Sequence, residues 1–147
     1  MNNKLNDFIK KNETTNFATD AGRALHAKLQ HVCLGDVPTG DANLIAKIIA
    51  AGDKLKSFFS TNAQTEVPIA GIVNGHFISR RIDRLVIDDK AKTVRVLDYK
   101  TDVAPEKFRA KYIIQLQEYA NLLRQIYPGY TISCHILWLH NWVLENI

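Results

Sequence analysis

Apolar positions recur every three or four residues up to Phe59, and from Thr65 onward they begin to alternate. The chain therefore reads as helices first and strands afterwards. Thr19 or Asp20 is placed to cap a helix running to about Cys33, with Gly22, Leu25, His26, Leu29, Val32 and Cys33 on its inward stripe. Loop residues Gly35, Pro38 and Gly40 follow, and Asp41 is placed to cap a second helix with Leu44, Ile45, Ile48 and Ile49 on one face. Gly52 interrupts that pattern before a short helical piece carrying Leu55, Phe58 and Phe59. The spacing predicts strands over 65–73 and 76–88, joined by the tight-turn pair Asn74-Gly75, and a third over about 93–100 after the polar turn at 89–92. Pro105 opens a long predicted helix to about Tyr127, with Tyr112, Gln115, Leu116, Tyr119, Leu122, Leu123 and Ile126 inward. Pro128-Gly129 stops it, and a last strand is expected over 131–140. Helices, a three-strand antiparallel meander, a helix and a further strand make a mixed α/β order.

Residues 1–17 are polar and Asn-rich and read as a flexible lead-in, leaving 18–147 as a single domain. At 147 residues with 46% hydrophobic content, the chain is large enough to bury a core without staples. Nothing approaches the run of about 18 apolar residues that a membrane span needs, and the start lacks the apolar centre of a signal peptide. The expected location is cytoplasmic, with no membrane partner. Cys33 and Cys134 are too few for a disulfide scaffold, a four-cysteine zinc site or an iron–sulfur cluster, and both are expected in the core. There is no Walker A sequence, so no ATP site is expected in this chain.

Charge sharpens the picture once it is located. Residues 80–111 hold ten Lys or Arg and six acids, and the remaining chain is neutral, so the whole excess of +4 lies in that segment. Such a cluster is expected of a phosphate-binding face, although mixed charge on solvated strands has the same appearance.

The chemistry centres on Ile82-Asp83-Arg84 and Leu97-Asp98-Tyr99-Lys100. If the turn at 89–92 pairs Asp88 with Thr93, Asp83 falls opposite Asp98, and alternation puts Asp83, Leu85, Ile87, Val94, Val96, Asp98 and Lys100 on one face. Two neighbouring carboxylates on a core-facing surface repel and resist desolvation unless a cation joins them. A divalent metal with Lys100 resolves that conflict and supplies hydrolytic parts; the plainer alternative is a salt-bridged cluster at a sheet edge. A histidine on an inward stripe, as His26 is, is commonly a packed boundary residue, but imidazole also suits Mn²⁺. Gln115 and Tyr119 share a helical face, where Gln is an odd choice for an apolar stripe.

In order along the chain, Gly22-Arg23-Ala24-Leu25-His26, Glu66-Val67-Pro68, Ile82-Asp83-Arg84-Leu85, Leu97-Asp98-Tyr99-Lys100-Thr101 and Gln115-Leu116-Gln117-Glu118-Tyr119-Ala120 resemble the motifs of RecB-like nucleases of the PD-(D/E)xK kind. The likeness runs from about residue 19 to the end. Its helix start, Asp-Tyr-Lys-Thr run and terminal Leu-Trp strand are most similar to the C-terminal nuclease domain of the AddA helicase–nucleases. The resemblance implies a restriction-endonuclease-like core and a metal-dependent deoxyribonuclease, an exonuclease acting at DNA ends in double-strand-break repair. It implies Mg²⁺, with Mn²⁺ able to substitute, held by His26, Asp83, Asp98 and the Tyr99 backbone carbonyl. Asp83, Asp98, Lys100, Gln115 and Tyr119 would be catalytic, Lys100 handling the attacking water, and Glu66 matches a carboxylate of an early motif. Arg80, Arg81, Arg84 and Lys111 would contact DNA, Arg80 standing where a glycine is usual. The partners implied are DNA, a helicase portion N-terminal in the same full-length chain and an AddB-like subunit, with a nucleoid-associated location. Two other classes stay in view: a catalytically silent nuclease-like module binding DNA or a partner, and a small metallohydrolase acting on a nucleotide.

Overall fold

The structure is a computed structural model that describes residues 20–103 and 105–147. In chain order it holds α1 (Asp20–Gln30), α2 (Ala42–Ala50), α3 (Asp53–Lys56), a 3-10 turn (Ser57–Phe59), β1 (Gln64–Val73), β2 (His76–Asp88), β3 (Thr93–Lys100), α4 (Pro105–Ile126), β4 (Thr131–Trp138) and β5 (Val143–Asn146). The lead-in expected over 1–17 lies outside the described residues. Caps and turns follow from local chemistry. Asp41 caps α2 by accepting from the Leu44 amide at 3.1 Å. Asn74 and Gly75 both take positive φ, 51° and 78°, the pair of angles a two-residue hairpin turn demands.

The five strands form one sheet in the order β1-β2-β3-β4-β5. All neighbours are antiparallel except β3 and β4, which run parallel and are joined through α4. This is the mixed α/β, restriction-endonuclease-like core expected. The strand β5 was not foreseen: the expected strand to His140 instead turns at Trp142, whose φ is 58°, and returns as β5.

Alternation along β3 and β4 sends side chains to two cores. On one side Val94, Val96, Ile136 and Trp138 meet Leu116, Tyr119, Leu122 and Leu123 of α4. On the other, Leu97, Tyr99, Leu137 and Leu139 meet Leu29, Val32, Leu44, Ile48, Phe58 and Phe59. Central positions such as Leu97, Ile48 and Phe58 have no solvent exposure; truncating a leucine there to alanine costs roughly 2–5 kcal/mol. Gly71 lets α4 approach β1 closely: a Cβ there would lie 2.8 Å from Leu122 Cδ2, so that side chain would have to shift. Ile49 and Ile126, expected on inward stripes, are exposed, and Cys33 is only half-buried, whereas Cys134 is in the core.

The β2–β3 register is the one expected, from Asp88–Thr93 to Arg84–Leu97, but pairing stops there, one step short of Asp83 and Asp98. Strict alternation also breaks at this point: Ile82 and Leu85, three residues apart, both enter the α4-side core. Arg84 points to the other side, against Phe59. Opposite, Glu66 on β1 takes φ 52°, rare for a residue with a Cβ. The sheet is therefore distorted where the acidic residues lie.

Candidate active site

A cleft of about 1010 Å³ opens over this distortion, between the β1–β2–β3 surface, α1 and α4. It is lined by His26, Glu66, Arg80, Arg81, Asp83, Asp98, Tyr99, Lys100, Lys111, Gln115 and Tyr119, so every candidate residue but one converges there.

Lys100 sits at the cleft floor, with Nζ 2.8 Å from Asp98 Oδ2 and donating to Gln115 Oε1 at 3.0 Å. Its ammonium also lies 4.3 Å from the centre of the Tyr112 ring. Gln115 Nε2 donates to the Tyr119 hydroxyl at 2.8 Å, and that hydroxyl donates to the Arg81 carbonyl at 3.2 Å. This chain of contacts explains the Gln on the inward stripe of α4: one amide face receives the lysine and the other holds the tyrosine. Asp83 Oδ2 accepts from the Tyr99 amide at 2.8 Å and lies 3.6 Å from His26 Nε2. His26 is oriented from behind by a 3.0 Å contact between Nδ1 and the Gly22 carbonyl, and its ring meets Tyr99 edge-on at 5.4 Å.

Burial pushes the Asp98 carboxyl up to about 6, with Asp83 adding to the rise and Lys100 opposing it. Burial works against protonation of His26, but the Asp83 carboxylate outweighs it, and the imidazole is raised above its ordinary value. Burial and the Asp98 and Asp83 charges also raise the Tyr119 phenol, so it stays protonated and able to donate.

Among the described residues, no three His, Cys, Asp or Glu side chains stand together as a ready metal cage. His26 pairs with Asp83, and Asp98 pairs with Lys100, side by side. A divalent cation nevertheless fits the donors present. Asp98 is buried, and its Oδ2 has no partner in hydrogen-bond geometry despite the nearness of Lys100. Such an orphaned acceptor, beside a second carboxylate and an imidazole, is a donor set that hard and borderline cations accept.

Arg84 is the candidate the structure removes from the DNA face. Its side chain is 2% exposed and lies behind the sheet, with Nη2 donating to the Leu29 and Val32 carbonyls. The basic segment is also less continuous than expected. Arg95 donates to Ser57 on the α2 side, and Arg109 pairs with Glu145 of β5. Only Arg80, Arg81, Lys100 and Lys111 of that segment line the cleft, Arg80 paired with Glu118 at 3.0 Å and Arg81 with Glu66 at 3.7 Å. Tyr112, Ser79 and Glu118 line it too and were not singled out from sequence. Glu118 sits inside a motif already quoted, and its spacing from Gln115 was the available signal.

No curated protein matches the chain. The family model of the PD-(D/E)XK nuclease superfamily matches residues 52–137, which takes in β1 to β3, α4 and nearly all of β4 but leaves out α1. The matched span contains Asp83, just past the end of the β2–β3 pairing, and Asp98-Tyr99-Lys100 across from it. Over more than half its length, and in the fold that carries these residues, the chain belongs to the PD-(D/E)XK nuclease superfamily.

Proposed function

We propose that this chain is the nuclease domain of an AddA-like helicase–nuclease, hydrolysing DNA phosphodiester bonds at ends processed during double-strand-break repair. The observation that carries the reading is the placement of Lys100, 2.8 Å from Asp98 in the cleft that also holds Asp83 and His26. A helicase portion in the same full-length chain and an AddB-like partner belong to the same proposal and rest on the resemblance of motifs alone.

His26, Asp83, Asp98 and the Tyr99 carbonyl would hold the cation, Mg²⁺ or in its place Mn²⁺. When bound, the cation supplies Lewis acidity at the scissile phosphate and makes water more acidic. Lys100 carries three N–H donors; Gln115 accepts one of them, and the Asp98 carboxylate holds the ammonium as an ion partner at 2.8 Å. The remaining donor capacity would steer a water or stabilise charge growing on the phosphate. Gln115 and Tyr119 hold the lysine in place and keep it from swinging to solvent. Arg80, Arg81 and Lys111 at the cleft wall are placed to take flanking phosphates, which would displace Glu118 and Glu66 from the two arginines.

The test is cleavage of a DNA duplex, a DNA single strand and a mononucleotide phosphodiester, each with Mg²⁺, Mn²⁺ or chelator. The expected result is cleavage of DNA with either ion, none in chelator, and little turnover of the mononucleotide. Undiminished cleavage in chelator overturns the metal chemistry. DNA binding without cleavage under any condition would leave the silent binding module.

A further inference from the structure

Arg84 poses a physical problem that the site chemistry does not solve. It is 2% exposed, and among the described residues no carboxylate lies within ion-pair reach of it. An unpaired buried charge costs several kcal/mol unless its donors are fully used. Here they are used on backbone: Nη2 donates to the Leu29 carbonyl at 2.8 Å and the Val32 carbonyl at 3.1 Å, and Nη1 to the Phe58 carbonyl at 3.3 Å. Nε donates to the Tyr99 hydroxyl at 3.0 Å, and the guanidinium lies over the Phe59 ring at 4.1 Å.

Leu29 is in the last turn of α1 and Val32 just beyond it. Carbonyls at a helix C-terminus lack partners in the helix and carry its negative dipole end, so a cation is the group they favour. Arg84 therefore ties the end of α1 to β2, and through the Tyr99 hydroxyl to β3. His26 lies one turn back along α1. Its ring touches Tyr99, the Tyr99 amide holds Asp83, and Asp83 faces His26. The contacts form a closed ring with Arg84 at the rear.

We infer that Arg84 is a positioning residue that locks α1 onto the sheet and so sets His26 against the Asp83 carboxylate, without touching DNA. The inference rests on the proposed role of His26 as a ligand. A planar five-donor fork satisfies four acceptors at once, which a lysine ammonium with three donors does not. Arg84→Lys keeps the charge and loses the clamp.

The experiment is a cycle of Arg84→Lys and His26→Ala, with Mn²⁺ affinity measured by calorimetry without DNA, and amide exchange followed across α1 and α4. Losing a group that orients a ligand typically costs about 10- to 100-fold in metal affinity. The expected result is a loss of about tenfold on Arg84→Lys in the wild-type background and almost none in His26→Ala, with faster exchange in α1 but not in α4. KM for DNA should hold while kcat at limiting Mn²⁺ falls. An equal loss in both backgrounds overturns the inference, as does a raised KM with metal affinity unchanged. Should Arg84→Lys not fold, Tyr99→Phe removes only the phenolic acceptor and carries the same cycle, with the same readings. A wild type that neither binds Mn²⁺ nor cleaves DNA would sink the proposed function; the α1 exchange would still show whether Arg84 clamps the helix.

Discussion

The Tyr99 amide donates to the Asp83 carboxylate at 2.8 Å, just past the last β2–β3 residue pair, Arg84 with Leu97. A side chain has taken over an amide at the point where strand pairing ends. That exchange lets the two strands part without leaving a buried donor unmet, and an unmet donor would cost about 1–3 kcal/mol. It also keeps the Asp83 carboxylate beside Asp98 in the cleft.

Asp98→Ala should abolish cleavage while the protein remains folded. Asp98 anchors Lys100 and holds the orphaned acceptor that a cation would fill. The checks are a nuclease assay with Mg²⁺ beside a thermal melt of the same sample. Wild-type activity in the variant would remove Asp98 from the mechanism.

His26→Ala should lose more affinity for Mn²⁺ than for Mg²⁺, because imidazole suits the softer ion and Mg²⁺ depends on carboxylates. Leucine at the same position should not restore activity, as it could for a packing residue. Calorimetric titration of both ions reads this directly. Unchanged affinity for both, with a lowered melting temperature, would make His26 a core residue.

DNA affinity should fall with salt, each neutralised phosphate contributing a slope of about −0.9 in log K against log salt for duplex DNA. Charge reversal at Arg80, Arg81 and Lys111 should flatten that slope, since these line the cleft. Reversal at Lys90, Lys92 and Arg95 should not, because they sit at the β2–β3 turn and against Ser57. Equal effects from both sets would show that DNA does not use the cleft.

Folding stability should carry a signature of His135, which is 4% exposed and stacks edge-on with Phe58 at 5.1 Å. Burial, with Lys54 nearby, lowers its pKa below the ordinary 6.5. The unfolded chain then binds a proton that the folded one resists. The stability is whole above that ordinary value and drains away as pH falls below it. Denaturant titrations from pH 7.5 to 5 should show a shallower decline in His135→Leu than in wild type. Identical slopes would mean that His135 is as easily protonated folded as unfolded.

What the sequence by itself determined is what short stretches of chain encode. Helical spacing placed α1, α2 and α4, and Asn74-Gly75 gave the hairpin turn, because periodicity and turn chemistry act over a few residues. Asp88 opposite Thr93 carried the β2–β3 register correctly to Arg84, since each step along an antiparallel pair follows from the last. Asp83, Asp98 and Lys100 could be brought together on that count alone. Arg84 could not be read that way. It stands next to Asp83 in a basic run and looks like its neighbours Arg80 and Arg81. It alternates with Leu85 and Val86, and it is buried because the end of α1 and the Phe59 ring cover that face of the sheet, where the Leu29 and Val32 carbonyls accept from it. The dispersal of the basic segment has the same origin, since Glu118, Glu145 and Ser57 lie 36 to 38 residues along the chain from the arginines they hold. Strand β5 is four residues long and gains its place from pairing with β4 and from Glu145 accepting from Trp138 and Arg109. Which face a side chain takes, and which charge finds a partner, depends on packing across the chain, and that was settled only when the two cores closed on the sheet.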